Sequence, residues 1–259
     1  MRRLIEVACE GETLAATLDA AAGTTGLLIV SGGNELRIGA HRGMALLAQA
    51  IAAAGTPVLR YDRRGIGDST GTNRGYAAGA ADLAAAAAAF RAQGVTRILG
   101  FGNCDAATTL ALFHHAAGID RLLLANPWLV ESDGNTPPAA AVRARYAERL
   151  ADPRQWLRLL RGQVDVRKLA GGLRRLAQPT PTGLAERVAA ALAASEVPAT
   201  LLLARRDNTA IACAEAWRGR AFDTVRGRVP VLEHDSASHS FAHAADAAWL
   251  RDRVRDALA

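Results

Sequence analysis

Six short apolar runs punctuate this chain, and the stretches between most of them are rich in alanine and leucine. The runs are Gly26–Val30, Pro57–Tyr61, Arg97–Phe101, Arg121–Ala125, Ala199–Ala204 and Val229–Leu232. Runs of this length read as strands buried on both faces. The stretches 41–54, 76–93, 105–117, 182–194, 209–218 and 244–258 read as the helices that cover them. Strands alternating with helices need right-handed crossovers, so the expected fold class is α/β, a mostly parallel, doubly wound sheet. Residues 3–9 and 12–19, turning at Glu10-Gly11, predict an antiparallel hairpin that brings the sheet to about eight strands.

The alternation breaks once. From about 130 to 178 there is no strand pattern; Pro137-Pro138 is followed by arginine-rich amphipathic stretches, including Ala140–Leu150 and Pro153–Leu160. This predicts a core of residues 1–129 and 179–259 with a helical cap, 130–178, inserted in it. Trp156, Leu157 and Leu160 are expected to face a pocket at the carboxyl edge of the sheet, with the arginines outward.

Composition narrows the function classes. The 259 residues suit a single α/β domain with such an insertion. The net charge of +6 is carried by arginine, Lys168 being the only lysine. That balance admits acidic substrates and peripheral contact with an anionic surface. No zinc-finger, helix-turn-helix or single-strand-binding signature accompanies it, so nucleic acid is not an expected partner. Cys9, Cys104 and Cys213 are odd in number, far apart and form no CxxC pair. A disulfide framework, a metal site and a cofactor are therefore not expected, and a cytoplasmic location fits. Glu6 and Glu10 interrupt the basic N-terminus before an apolar signal region forms, and no run of about 18 apolar residues is present to span a bilayer.

The chemistry centres on Gly102-Asn103-Cys104-Asp105-Ala106. An apolar run leads into it and helix formers follow. Small residues two before and two after a nucleophile mark a strand-to-helix turn so tight that larger ones would clash. The following helix would point its N-terminus at the thiol, which favours the thiolate. A cysteine nucleophile needs a base, and the base an orienting carboxylate. In a parallel sheet such groups gather at the carboxyl ends of the strands. Asp207 directly follows one strand run, and His239 lies in the small-residue loop after the last. His234 and Asp235 sit close to a strand end, His243 begins the last helix, and His114 and His115 lie about three turns along the helix after Cys104. An oxyanion needs two backbone donors. One is expected from Asp105, the other from Gly33 or Asn34 in the glycine loop after the third strand.

The order nucleophile, acid, histidine resembles that of the α/β-hydrolase superfamily, and Asp62-x-Arg64-Gly65-x-Gly67-x-Ser69 is similar to the loop those proteins carry after the fourth strand. More narrowly, the chain resembles the first hydrolase family associated with the exosortase A system. The matching residues are Gly32-Gly33, the segment Arg37-Ile38-Gly39-Ala40-His41-Arg42, the elbow Cys104-Asp105-Ala106-Ala107, and Ser238-His239-Ser240-Phe241. Ser238 and Ser240 depart from the Asp and Thr of that family's histidine motif. The resemblance implies an α/β-hydrolase fold and a bacterial protein linked to exopolysaccharide systems. Its expected function is cleavage of an ester or thioester, in a small molecule or an acylated saccharide or lipid, through Cys104, His239 and Asp207. Acyl transfer and a dienelactone-hydrolase-like reaction use the same parts, and a non-catalytic binding or scaffold protein is the rival of a different class. Arg37, His41 and Arg42 are candidate contacts for an anionic substrate group, with surface salt bridges as the alternative.

Overall fold

The computed structural model describes residues 1–130 and 183–259. The expected cap, 130–178, lies outside the described residues apart from the buried Val130. Strands β1 (Arg2–Cys9) and β2 (Glu12–Asp19) form the hairpin. They are followed by β3 (Thr25–Val30), α1 (Gly43–Ala53), β4 (Val58–Tyr61), α2 (Ala80–Arg91), β5 (Arg97–Asn103), α3 (Asp105–Phe113) and β6 (Arg121–Ala125). After residue 182 come α4 (Gly183–Ala193), β7 (Ala199–Ala204), α5 (Asn208–Trp217), the short α6 (Asp223–Arg226), β8 (Val231–His234) and α7 (Ala244–Leu258). These strands form one eight-stranded sheet in the order β1-β2-β4-β3-β5-β6-β7-β8, antiparallel across β1–β2 and β2–β4 and parallel from there on.

The continuous apolar runs are explained by two packed faces. Along β3, Leu28 and Val30 join one core while Leu27 and Ile29 join the other; β6 and β7 repeat the alternation. The period of two sends successive side chains to opposite layers, so a strand covered on both sides needs no polar positions. α1 and α7 cover one face; α2, α3, α4 and α5 cover the other. Among the described residues no helix is long and apolar enough to cross a membrane.

Three elements start two or more residues later than expected. The helix expected from residue 76 starts at Ala80, because Gly75 and Gly79 flank a separate 3-10 turn at Tyr76–Ala78. The helix expected from 41 starts at Gly43, because His41 and Arg42 hold left-handed φ values of 52° and 62°. The last strand runs from Val231 rather than 229. Pro230 has no N–H to donate to a ladder, and its carbonyl accepts from Leu201 just ahead of the first paired residue.

Candidate active site

β5 ends at Asn103 and α3 begins at Asp105, which leaves Cys104 alone to turn the chain. Its backbone has φ 61° and ψ −125°, a strained conformation for a residue with a Cβ. Surrounding bonds impose it: the Cys104 N–H donates to Ala125 O at 2.9 Å, and its carbonyl accepts from the Trp128 N–H at 3.2 Å. Gly102 is small for a definite reason. A Cβ there would lie 2.7 Å from the Ala106 carbonyl carbon and 2.8 Å from the Ala107 nitrogen. The turn thus brings the first turn of α3 directly over the end of its own strand.

Asp207 and His239 complete the arrangement expected from the chain order. Asp207 caps α5: its Oδ2 accepts from the N–H groups of Thr209 and Ala210, both at 3.0 Å. The same oxygen accepts from His239 Nδ1 at 3.0 Å. A carboxylate fixed by two backbone donors holds the imidazole in one tautomer, because Nδ1 must carry the proton. The Cys104 thiol interacts with the same ring, leaving Nε2 to face it. Burial acts to lower the His239 pKa, but the Asp207 hydrogen bond and the contact with Cys104 outweigh it and push it up to about 10.

Two of the other histidines are engaged elsewhere. His234 Nε2 pairs with Asp246 Oδ1 at 2.8 Å, and its ring stacks on Trp249 with centroids 4.8 Å apart. His114 is buried just past the end of α3, where desolvation lowers its pKa and its Nδ1 donates to the carbonyls of Leu110 and Ala111. Cys9 and Cys213 are buried too; burial and the neighbouring Asp82 push the Cys9 thiol up to about 11, and burial alone raises that of Cys213.

A cavity of about 800 Å³ opens at Cys104. Cys104, His239, Ser240 and Asn103 form its reactive wall, Gly32 to Glu35 and Asp105 a second side, and Tyr76 and Trp128 supply aromatic surface. The three expected oxyanion residues, Gly33, Asn34 and Asp105, all line it. Gly33 departs from its expected part, however. Its N–H donates to Asp105 Oδ1 at 2.6 Å, and buried Arg63 grips both the Gly33 carbonyl and Asp105 Oδ2. The Asn34 side chain accepts from Asn73 Nδ2 at 3.1 Å, while its own N–H makes no hydrogen bond among the described residues. The Asp105 N–H, first in α3, has no carbonyl one turn back within the helix.

Of the expected substrate contacts, none of Arg37, His41 and Arg42 is among the described residues that line this cavity. Arg37 donates from Nη1 to Asp62, from Nη2 to Asp68 at 2.9 Å and from Nε to Thr17 at 3.1 Å, so its guanidinium braces the loop after β4. His41 lines a separate, smaller cavity beside α1, and Arg42 provides the left-handed residue before that helix. The residues that sequence reasoning missed are Asn103 and Asn126, both hydrogen-bonded to the His239 carbonyl. Their signal was a polar residue at the end of each of two adjacent apolar runs.

The strand order, with its antiparallel first pair and its parallel remainder, is that of an α/β-hydrolase fold. Solved structures share this fold. The esterase Pf2001 of Pyrococcus furiosus superposes with a TM-score of 0.66 at 15% identity, covering 100% of this chain and 90% of that one. DcsB, solved in complex with its substrate analogue, gives 0.68 at 14% identity, with 100% and 98% covered. The thioesterase domain from the curacin biosynthetic pathway gives 0.61 at 15% identity, with 99% of each chain covered. No family model matches the chain, and neither does any curated protein.

Proposed function

We propose that this chain is a hydrolase that cleaves an ester or thioester through a Cys104–His239–Asp207 triad and a covalent acyl-enzyme. The observation that carries this reading is one imidazole held between a capped carboxylate and a thiol whose strained backbone faces a cavity. His239 takes the thiol proton, the sulfur attacks the carbonyl carbon, and the imidazolium protonates the departing alkoxide or thiolate. The N–H groups of Asp105 and Asn34 hold the oxyanion, since that of Gly33 is already engaged. Acylation removes the thiol's contact with the ring, and with it one cause of the raised His239 pKa. The neutral imidazole then becomes more accessible just when water must be deprotonated. Esterase and thioesterase neighbours on the same fold are consistent with this chemistry.

The finer assignment, to the exosortase-associated family of bacteria with an acylated saccharide or lipid as substrate, rests on the sequence motifs at 32–42, 104–107 and 238–241. A cytoplasmic setting accords with three unpaired thiols. A chromogenic short-chain ester and a thioester, followed by mass spectrometry of the protein, test the chemistry. The parent should turn over and Cys104→Ala should not. His239→Ala should keep a persistent acyl mass on Cys104, because a thiol is partly ionised unaided but water needs the base. Asp207→Asn should slow turnover by roughly 10²–10⁴-fold. Turnover of His239→Ala at the parent rate would remove His239 as the base. A parent inert to both substrate types would favour a binding or scaffold role.

A further inference from the structure

Two asparagines outside the triad meet at the main-chain carbonyl of His239. Asn103 Nδ2 donates to it at 3.0 Å and Asn126 Nδ2 at 3.2 Å. Asn126 Nδ2 also donates to Asn103 Oδ1 at 3.0 Å, and Asn126 Oδ1 accepts from the Ala204 N–H at 2.9 Å. Asn126 is fully buried. Its one carboxamide therefore joins the end of β5, which leads into Cys104, the end of β7, which leads into Asp207, and the loop that carries His239.

The backbone shows why this residue stands there. Asn126 follows β6 with φ 41°, a left-handed conformation that asparagine tolerates better than most residues. Its N–H still bonds Leu202 O at 2.8 Å, but the chain then turns away from β7. The side-chain oxygen takes the next β7 donor, Ala204 N–H, as a backbone carbonyl would have done. The side-chain nitrogen is left to donate across the sheet end. Only a carboxamide offers an acceptor on one side and two hydrogens on the other at this size. An aspartate would present oxygen to the His239 carbonyl and repel it.

We propose that Asn103 and Asn126 are positioning residues that fix the His239 main chain, and so set its imidazole against Cys104 and Asp207. The two donors saturate the lone pairs of that carbonyl, while the imidazole itself is 41% exposed and gains less restraint from packing. A displacement of about 1 Å at a reacting group costs on the order of 10²-fold in rate. The proposal rests on the triad reading above, and the test separates the two.

The His239 imidazole would be titrated by its C2–H proton resonance in the parent, Cys104→Ser, Asn103→Ala and Asn126→Ser, with kcat and KM measured in parallel on a short-chain thioester. Loss of either asparagine should lower kcat by roughly 10–100-fold with KM within about 3-fold. It should also move the His239 titration from its raised position back toward about 6.5, because the ring no longer sits squarely on both partners. Asn103 is only half-buried, so Asn103→Ala decides the matter if Asn126→Ser does not fold. An unmoved titration in Asn103→Ala overturns the proposal, whether or not kcat falls. A parent whose His239 titrates near 6.5 and ignores Cys104→Ser overturns the triad, and the clamp with it.

Discussion

At the scale of single residues, the three cysteines separate by what surrounds each sulfur. Cys9 donates to Asp82 at 3.5 Å inside the core, and Cys213 is fully buried on the inner face of α5. Both thiols are held protonated by desolvation, and Cys9 also by a neighbouring carboxylate. Cys104 alone is partly exposed, in a cavity and next to an imidazole. Brief iodoacetamide treatment of the folded protein, read by peptide mapping, should therefore label Cys104 and spare the other two. Faster labelling of Cys9 or Cys213 would contradict the assignment of the nucleophile. That Cys104, Asp207 and His239 come together was legible in the sequence because each lies at or in the loop after a strand end, and strand ends converge in a parallel sheet. Which carboxylates Arg37 pairs with was not legible, because Asp62 and Asp68 are 25 and 31 residues away and nothing in the local pattern announces them. The capture of the Gly33 N–H by Asp105 was hidden for the same reason: the two residues are 72 positions apart and meet only through the fold.

At the scale of elements, the elbow depends on the fit between β5 and α3. The atoms that a Cβ at Gly102 would meet are backbone atoms of Ala106 and Ala107, which cannot rotate aside. Gly102→Ala should therefore shift the first turn of α3 and cost about 1–3 kcal/mol, as overpacking does. For a domain of this size that lowers Tm by very roughly 2–12 °C, and thioester turnover should fall further than stability because the turn carries the thiol. Thermal melting with a parallel rate assay checks both; an unchanged Tm would mean that the close approach is not obligatory. The elements themselves were mostly readable, since buried strands and alanine-rich helices leave strong patterns. The misplaced starts of α1, α2 and β8 all lie at residues whose backbone geometry decides the boundary. Gly75, Gly79 and Pro230 were visible as punctuation, whereas the left-handed His41 and Arg42 carry no such mark.

At the scale of the whole molecule, the pairing of His239 with Asp207 and Cys104 couples stability to pH. The His239 pKa rises from an unfolded value near 6.5 to about 10 in the folded protein. The folded state thus binds the proton more tightly, and the stabilisation is fully present below about pH 6.5 and lost as the pH rises through about 10. The difference in Tm between parent and His239→Ala should accordingly shrink as the pH is raised across that window; a difference that stays constant or grows would mean that His239 is not paired as described. The sheet also divides the labour. The ends of β5, β7 and β8 bring Cys104, Asp207 and His239 to one edge, and the loop after β3 lines the same cavity.

The double duty of Asp207 Oδ2 has a consequence for observing the molecule. The oxygen that orients His239 also receives the amide protons of Thr209 and Ala210 at the start of α5. Neither residue lines the cavity, so neither is disturbed directly by what enters it. Any change in how firmly the imidazole draws on that oxygen is shared with those two amides. They form a pair of built-in gauges, seated in the scaffold, whose resonances should respond to a change of charge on His239.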